Sequence, residues 1–471
     1  MLELGHKLWP ASRRHRVKQS VRRLLRDRAD PSLKVSRCGV QVNAVVENLP
    51  AEIRLHILSL LDLQGLGNFV RASPVLYEQF RIARRSLLLS CLQESLGCVT
   101  ADAYAVARAK AIPAARRSPA SEYRKAVESL LSGSPPYLSS AEPPRAAAAE
   151  DLDQAAVREM ATFYFRVQRL SERYVDWALE RLAAQARPHD PTTSPGFQRR
   201  LSSTERTRIV RGMYRFHLFC ELFGTVRGYQ WDAYGLEVDI IKVFFLRYQP
   251  WEIEEILCVA GFVQATYDRL FNEIYWDVHP CNPKFPYPIP PAEGSFDFDH
   301  TPDRTSYLEG TVGRGLECLD EVFFAVHDHQ RLVRALQDRI RPSCLGIGES
   351  VIGLPGQCSV RETSVSERDR METRRVPLPF RGDAEDARDG LRPPLAWTLL
   401  WHDTYSNVYG DLIPARMRNG GYIFWDASRM RETGMDREAL RLFVPSDGGV
   451  PDPRWPEESD SDSDLEPLQR G

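Results

Sequence analysis

Residues 47–63, ENLPAEIRLHILSLLDL, decide how this chain is read. A Leu-Pro pair is followed at once by a run that alternates charge with Leu and Ile. Ile53, Ile57, Leu60 and Leu61 bunch on one side of a helix drawn over Ala51 to Leu61, while Leu55 and Leu58 point elsewhere. A helix apolar on more than one face is either deep core or shared between two neighbours. Both readings stay open from periodicity alone. Each buried Leu or Ile is worth about 1.5–3 kcal/mol, so four or five at an interface outweigh the costs of association.

Downstream, the spacing predicts a second helix over Leu63 to Val70, interrupted by Gly65 and Gly67. A third opens at ASPVLYEQF, where Ser73 suits the cap and Pro74 the first helical position. ARRSLLLSCLQESLG continues helically to a stop at Gly97. A module of about forty residues is too small to cover all its own apolar surface, so the rest of the chain or a partner must do so.

These residues resemble an F-box. Leu49-Pro50 matches that family's opening pair. Ile53, Ile57, Leu58 and Leu61 match its first helix, and Leu63, Leu66 and Val70 its second, with RASPVLYEQF closing the motif. The blocks RGMYRFHLFCELFG, FFLRYQPWEIEEILCV and YGDLIPARMRNGGYIFWDASRM are similar to blocks of long F-box-like proteins of filamentous ascomycete fungi. The resemblance implies a Skp-type adaptor bound through Leu49, Pro50, Ile53, Ile57, Leu61, Leu63, Leu66 and Val70. It also implies a cullin-RING (SCF) ubiquitin ligase behind that adaptor, and a C-terminal part that holds a target protein for ubiquitination. The alternative is a non-enzymatic scaffold in which the same helices are intramolecular core.

The chain has 471 residues, 43% hydrophobic and 27% charged, which is the make-up of a protein with a real core. The expected fold is mainly α, within the α+β class: a three-helix module over 45–85, then a mostly helical domain over 86–445. Loops are expected near 132–150, 184–201, 279–300 and 341–392. Ser202 and Glu205 are spaced as a capping box, Pro250 starts a helix, and GLECLDEVFFAVHDHQRLVRALQDRI reads as one amphipathic helix. The run from Ile253 to Ile274 carries an apolar stripe at helical spacing. GGYIFWDASRM, with a Gly-Gly turn before Tyr422 to Trp425, reads as a small buried β element.

Net charge is -2, which gives no general attraction to nucleic acid or membrane. Residues 1–44 form a basic arm, read as a solvated extension, a nuclear-import patch or a transit peptide. Residues 446–471 read as a disordered acidic tail in which Ser459, Ser461 and Ser463 each precede an acid by three positions. That spacing suits acidophilic kinases, and a plain solubilising tail is the other reading. Nine scattered cysteines fit reduced thiols in the cytoplasm or nucleus.

Chemistry is harder to place. Asp297, Asp299 and His300 in FDFDH could meet a cation, but no fourth ligand is marked. His327 and His329 lie two apart on one helix and do not share a face. GIGESVIG lacks the elements of a phosphate loop, and His402-Asp403 lacks a nucleophile. Two Trp-Asp pairs 45 residues apart suit a propeller period, but helical sequence surrounds them. No cofactor, no metal and no enzymatic activity are expected.

Overall fold

A computed structural model describes residues 45–110, 112, 120–132, 152–185, 200–224, 240, 244–285, 292–343, 347, 379–383, 392–400 and 413–436. The basic arm, the acidic tail and most of 341–392 lie outside them. Of the described part 77% is helical and no strand occurs in it, so the fold is mainly α. The chain divides into two compact units. One comprises residues 1–100 and 146–168, the other 101–145 and 169–471.

In the first unit a short 3-10 turn (Val45–Asn48) leads into α1 (Ala51–Ser59), followed by α2 (Leu63–Ala72), α3 (Pro74–Ile82) and α4 (Arg84–Leu96). Local chemistry sets each boundary. The Asp62 carboxylate caps α2 by accepting from the Gly65 N–H at 2.6 Å. Ser73 ends α2 and caps α3 through the Leu76 N–H, with Pro74 at the first helical position. α4 stops at Gly97, whose φ of 53° needs glycine.

Leu58 of α1, Leu63, Leu66 and Val70 of α2, Leu76 and Phe80 of α3 and Leu87 to Leu92 of α4 supply the core. Its polar ties are mostly neutral. Gln79 of α3 is buried, donates to the Ala51 carbonyl and accepts from Arg54 Nε at 2.7 Å. Arg54 also donates to the Glu47 and Leu49 carbonyls, fixing the Leu-Pro approach to α1. The Cys91 thiol donates to the Leu58 carbonyl at 3.2 Å, and Ser95 accepts the Leu63 N–H. Residues 154–168 of α7 (Gln154–Gln185) complete this unit, with Val157, Met160, Phe163 and Val167 buried.

The second unit contains α5 (Thr100–Ala109), α6 (Ala120–Ser132), the rest of α7, α8 (Ser203–Phe223) and α9 (Pro250–Val278). Five short helices and one of twelve residues follow: α10 (Thr301–Val312), α11 (Gly315–Ala325), α12 (His329–Gln337), α13 (Leu395–Leu400), α14 (Ala415–Asn419) and α15 (Ala427–Thr433). α8 and α9 pack on each other at the centre of this unit. The Ser202–Glu205 capping box forms as its spacing predicts, and the stripe of Ile253, Ile256, Leu257, Ala260, Val263, Tyr267, Leu270 and Ile274 is buried throughout. Gly224, ending α8, and Gly313, ending α10, approach backbone to backbone with no room for a Cβ.

Two expectations need correction. The run 315–340 is two helices rather than one. α11 ends at Ala325 and α12 restarts at His329, because the Asp328 carboxylate accepts the Arg331 N–H at 3.2 Å and makes a new cap. The expected β element at Tyr422–Trp425 is a turn between α14 and α15. Gly421 takes a φ of 67°, and the local amides bond back along the chain, Phe424 N–H to the Gly421 carbonyl and Tyr422 N–H to Met417. All four side chains are fully buried. Burial, rather than strand pairing, is what the run of large apolar residues encodes here, so the α+β assignment reduces to mainly α.

Candidate functional site

The eight positions that the resemblance assigns to an adaptor do not share one environment. Pro50 is exposed and Ile53 is 47% exposed, whereas Leu49, Ile57 and Leu61 are half-buried. Leu63, Leu66 and Val70 lie inside the first unit's own core. What the unit does present outward is a different apolar set: Ile53, Leu60, Phe69, Val75 and Ile82. Ile82 is 78% and Leu60 64% exposed. Ile53 and Leu60 are seven apart on α1 and its cap, and Val75 and Ile82 seven apart on α3, so each pair lies along one helix face. Leu60 was visible in the sequence as part of that side of α1. Val75 and Ile82 were not, because a two-turn helix carries too few residues for its outward stripe to stand out.

Among the described residues only Trp276 and Phe324 are comparably exposed outside this unit. Scattered single exposures are ordinary, but five large apolar side chains within thirty residues are not.

The cation candidates resolve differently from the sequence expectation. His300 pairs with Asp303, not with Asp297 or Asp299. His329 pairs with Asp277 at 2.9 Å, and His327 is exposed. His279 instead joins Asp297 and Asp299, with one potential ligand atom from each within 4.8 Å. The sequence could not show this, because His279 reaches the loop across a proline-dense stretch. These groups satisfy one another. The Tyr275 hydroxyl donates to Asp299 at 2.7 Å and His279 Nε2 lies 3.2 Å from it, which together hold the Asp299 carboxyl below its ordinary pKa. The Cys281 N–H donates to His279 Nδ1 at 3.1 Å, so the ring proton sits on Nε2, the atom a cation would need. The cluster reads as a clasp closing the loop over the end of α9.

The second unit holds a charged layer that sequence reasoning missed. Arg211 grips Glu255 through two bonds of 2.8 and 2.5 Å. Arg215 reaches Glu252 at 2.7 Å and Asp102 at 3.1 Å. Arg418 pairs bidentately with Glu254, which also accepts the Tyr422 hydroxyl. Arg429 does the same with Glu205. All of these carboxylates and most of the guanidiniums are buried. Burial pushes the Asp102 and Glu255 carboxyls up. Burial alone would lower the Arg211 guanidinium, but Glu255 and Glu252 hold it well above its ordinary value. The signal was the pair of motifs ERTRIVRGMYR and EIEE inside otherwise apolar helices. Arg211–Glu255 and Arg215–Glu252 tie α8 to α9, and the other pairs tie these two helices to α5, α14 and α15.

No helix among the described residues is long and apolar enough to cross a membrane. The fold defines a mainly α protein with a small apolar-faced N-terminal unit. No family model, no curated protein and no solved structure matches the chain.

Proposed function

We propose that the N-terminal unit docks a Skp-type adaptor, making the chain a substrate-recognition subunit of a cullin-RING ubiquitin ligase that performs no chemistry itself. The supporting observation is the concentration of exposed large apolar side chains, Ile53, Leu60, Phe69, Val75 and Ile82, on three consecutive short helices. They occur in the segment whose Leu-Pro opening and helix spacing resemble an F-box. Under this reading Leu63, Leu66 and Val70 shape the module from inside, and the adaptor contacts fall on the outward residues. The second unit would hold the target.

A second reading has its own observation. Leu63, Leu66 and Val70 are at most 8% exposed, which suits a scaffold whose F-box-like helices serve as core. A pull-down of the full chain with purified Skp-type adaptor separates the two. The first reading expects capture by wild type, loss of capture by the double variant Leu60→Asp and Ile82→Asp, and an unchanged circular dichroism spectrum. A folded wild-type chain that captures no adaptor sinks it.

A further inference from the structure

One charged cluster in the second unit is out of balance. Arg208 of α8 donates to Asp426 Oδ1 from one terminal nitrogen and to Asp383 Oδ1 from the other, each at 3.2 Å. Glu205 is already engaged by Arg429 and by the Asp426 N–H. Among the described residues, then, one guanidinium serves two carboxylates. The place is largely dry: the side chains of Arg208, Asp426 and Asp383 are 1%, 12% and 19% exposed. Like charges so close in a poorly hydrated site cannot both ionise at ordinary cost.

Asp383 has a second task. Its other oxygen accepts the Ala427 N–H at 2.9 Å, and so caps α15 from a distance of 44 residues in sequence. The residue at the usual capping position, Asp426, makes no side-chain cap bond. Thr204 adds a hydroxyl bond to the Asp383 carbonyl at 3.5 Å.

We propose that Asp426, facing Asp383 across Arg208, is a proton-dependent latch, in which the proton on Asp426 sets how firmly residues 379–383 and the start of α15 are held on α8. The groups facing Asp426 are Ser202, Glu205 and Arg208 from α8 and its cap, Asp383 from the docked segment, and Arg429 from its own helix. α13, packed on α15, has no titratable side chain. Burial first, then the Asp383 and Glu205 charges, outweigh the Ser202 bond and Arg208 and push the Asp426 carboxyl up to about 6. A carboxyl whose docked pKa exceeds its free value binds its proton more tightly when docked. Docking is therefore strongest below the free carboxylate pKa and weakens as pH rises through about 6. Once Asp426 is ionised, two carboxylates share the one Arg208 guanidinium in a poorly hydrated site, and the hold of the segment and of α15 on α8 weakens.

Amide hydrogen exchange on the full chain tests this, read on fragments covering 427–433 and corrected for the intrinsic pH dependence of exchange. Protection should be about tenfold or more greater at pH 5 than at pH 7.5, since one pKa unit is a factor of ten. Asp426→Asn should show the high protection at both pH values. Equal protection of wild type at the two pH values overturns the latch, as does a pH dependence that survives in Asp426→Asn. Should that variant not fold, Asp383→Asn keeps a capping oxygen and removes the competing charge. It should reduce the pH dependence, because burial still raises the Asp426 carboxyl, and an unchanged dependence overturns the proposal.

Discussion

The two units of this chain use polar and apolar side chains in opposite ways. The N-terminal unit ties its helices with neutral bonds from Gln79, Ser73, Ser95 and Cys91, and leaves Ile53, Leu60 and Ile82 in water. The second unit buries Arg208, Arg211, Arg215, Glu252, Glu254 and Glu255 along its two central helices, and among its described residues exposes few large apolar ones. A small unit cannot bury every apolar side chain, and retaining so many outside is tolerable when something covers them. A larger unit can dehydrate charges because each has a partner at bonding distance. Surface composition is therefore the informative feature of the first unit, and core composition that of the second.

The most damaging way to break this contrast lies in the charged layer. Arg211→Met strands Glu255 in a dry core, leaving Glu252 to Arg215, and should cost about 3–5 kcal/mol in chemical denaturation of the second unit. Arg211→Met combined with Glu255→Leu should recover much of that loss, because an apolar pair replaces an ion pair. A double variant as unstable as the single one would mean that the layer contributes more than mutual compensation.

In the first unit the largest effect should come from its interior. Leu58 is fully buried, and Leu58→Ala should cost about 2–5 kcal/mol through lost burial and the cavity left behind. Ile82→Ser, at 78% exposure, should change stability by no more than about 0.5 kcal/mol. The ratio of the two thermal shifts measures how far the outward residues are free of the unit's own packing. Comparable shifts would mean that Ile82 is held by the chain itself.

Much of this organisation could be read in advance, for identifiable reasons. Caps were legible at Ser73, Ser202 and Pro250 because capping depends on residues within one turn. The stripe from Ile253 to Ile274 was legible because a long helix repeats its pattern. The break at Asp328 was missed because its cap interrupts an apolar period that runs on unchanged across it. Tyr422–Trp425 misled because large apolar residues in a row signal burial without specifying backbone shape. The His279 clasp and the Asp383–Arg208–Asp426 cluster join residues far apart in sequence, and no local pattern encodes such pairings.

The finest test of the first unit concerns a glycine inside a helix. Gly65 sits in α2, where glycine ordinarily costs about 0.5–1 kcal/mol against alanine. A methyl added there would stand 2.8 Å from Asp62 Oδ1, the same oxygen that accepts the Gly65 N–H and caps the helix. The gain in helix propensity is thus set against the loss of a cap worth about 0.5–2 kcal/mol. Gly65→Ala should leave stability unchanged or lower it by up to about 1 kcal/mol, instead of the stabilisation a helix interior normally returns. Removing the cap first, with Asp62→Ala, should restore the ordinary gain: in that background Gly65→Ala should stabilise, by about 0.5–1 kcal/mol. If it stabilises equally in both backgrounds, the methyl meets no obstacle, and the glycine reflects the outward use of α2 rather than its cap.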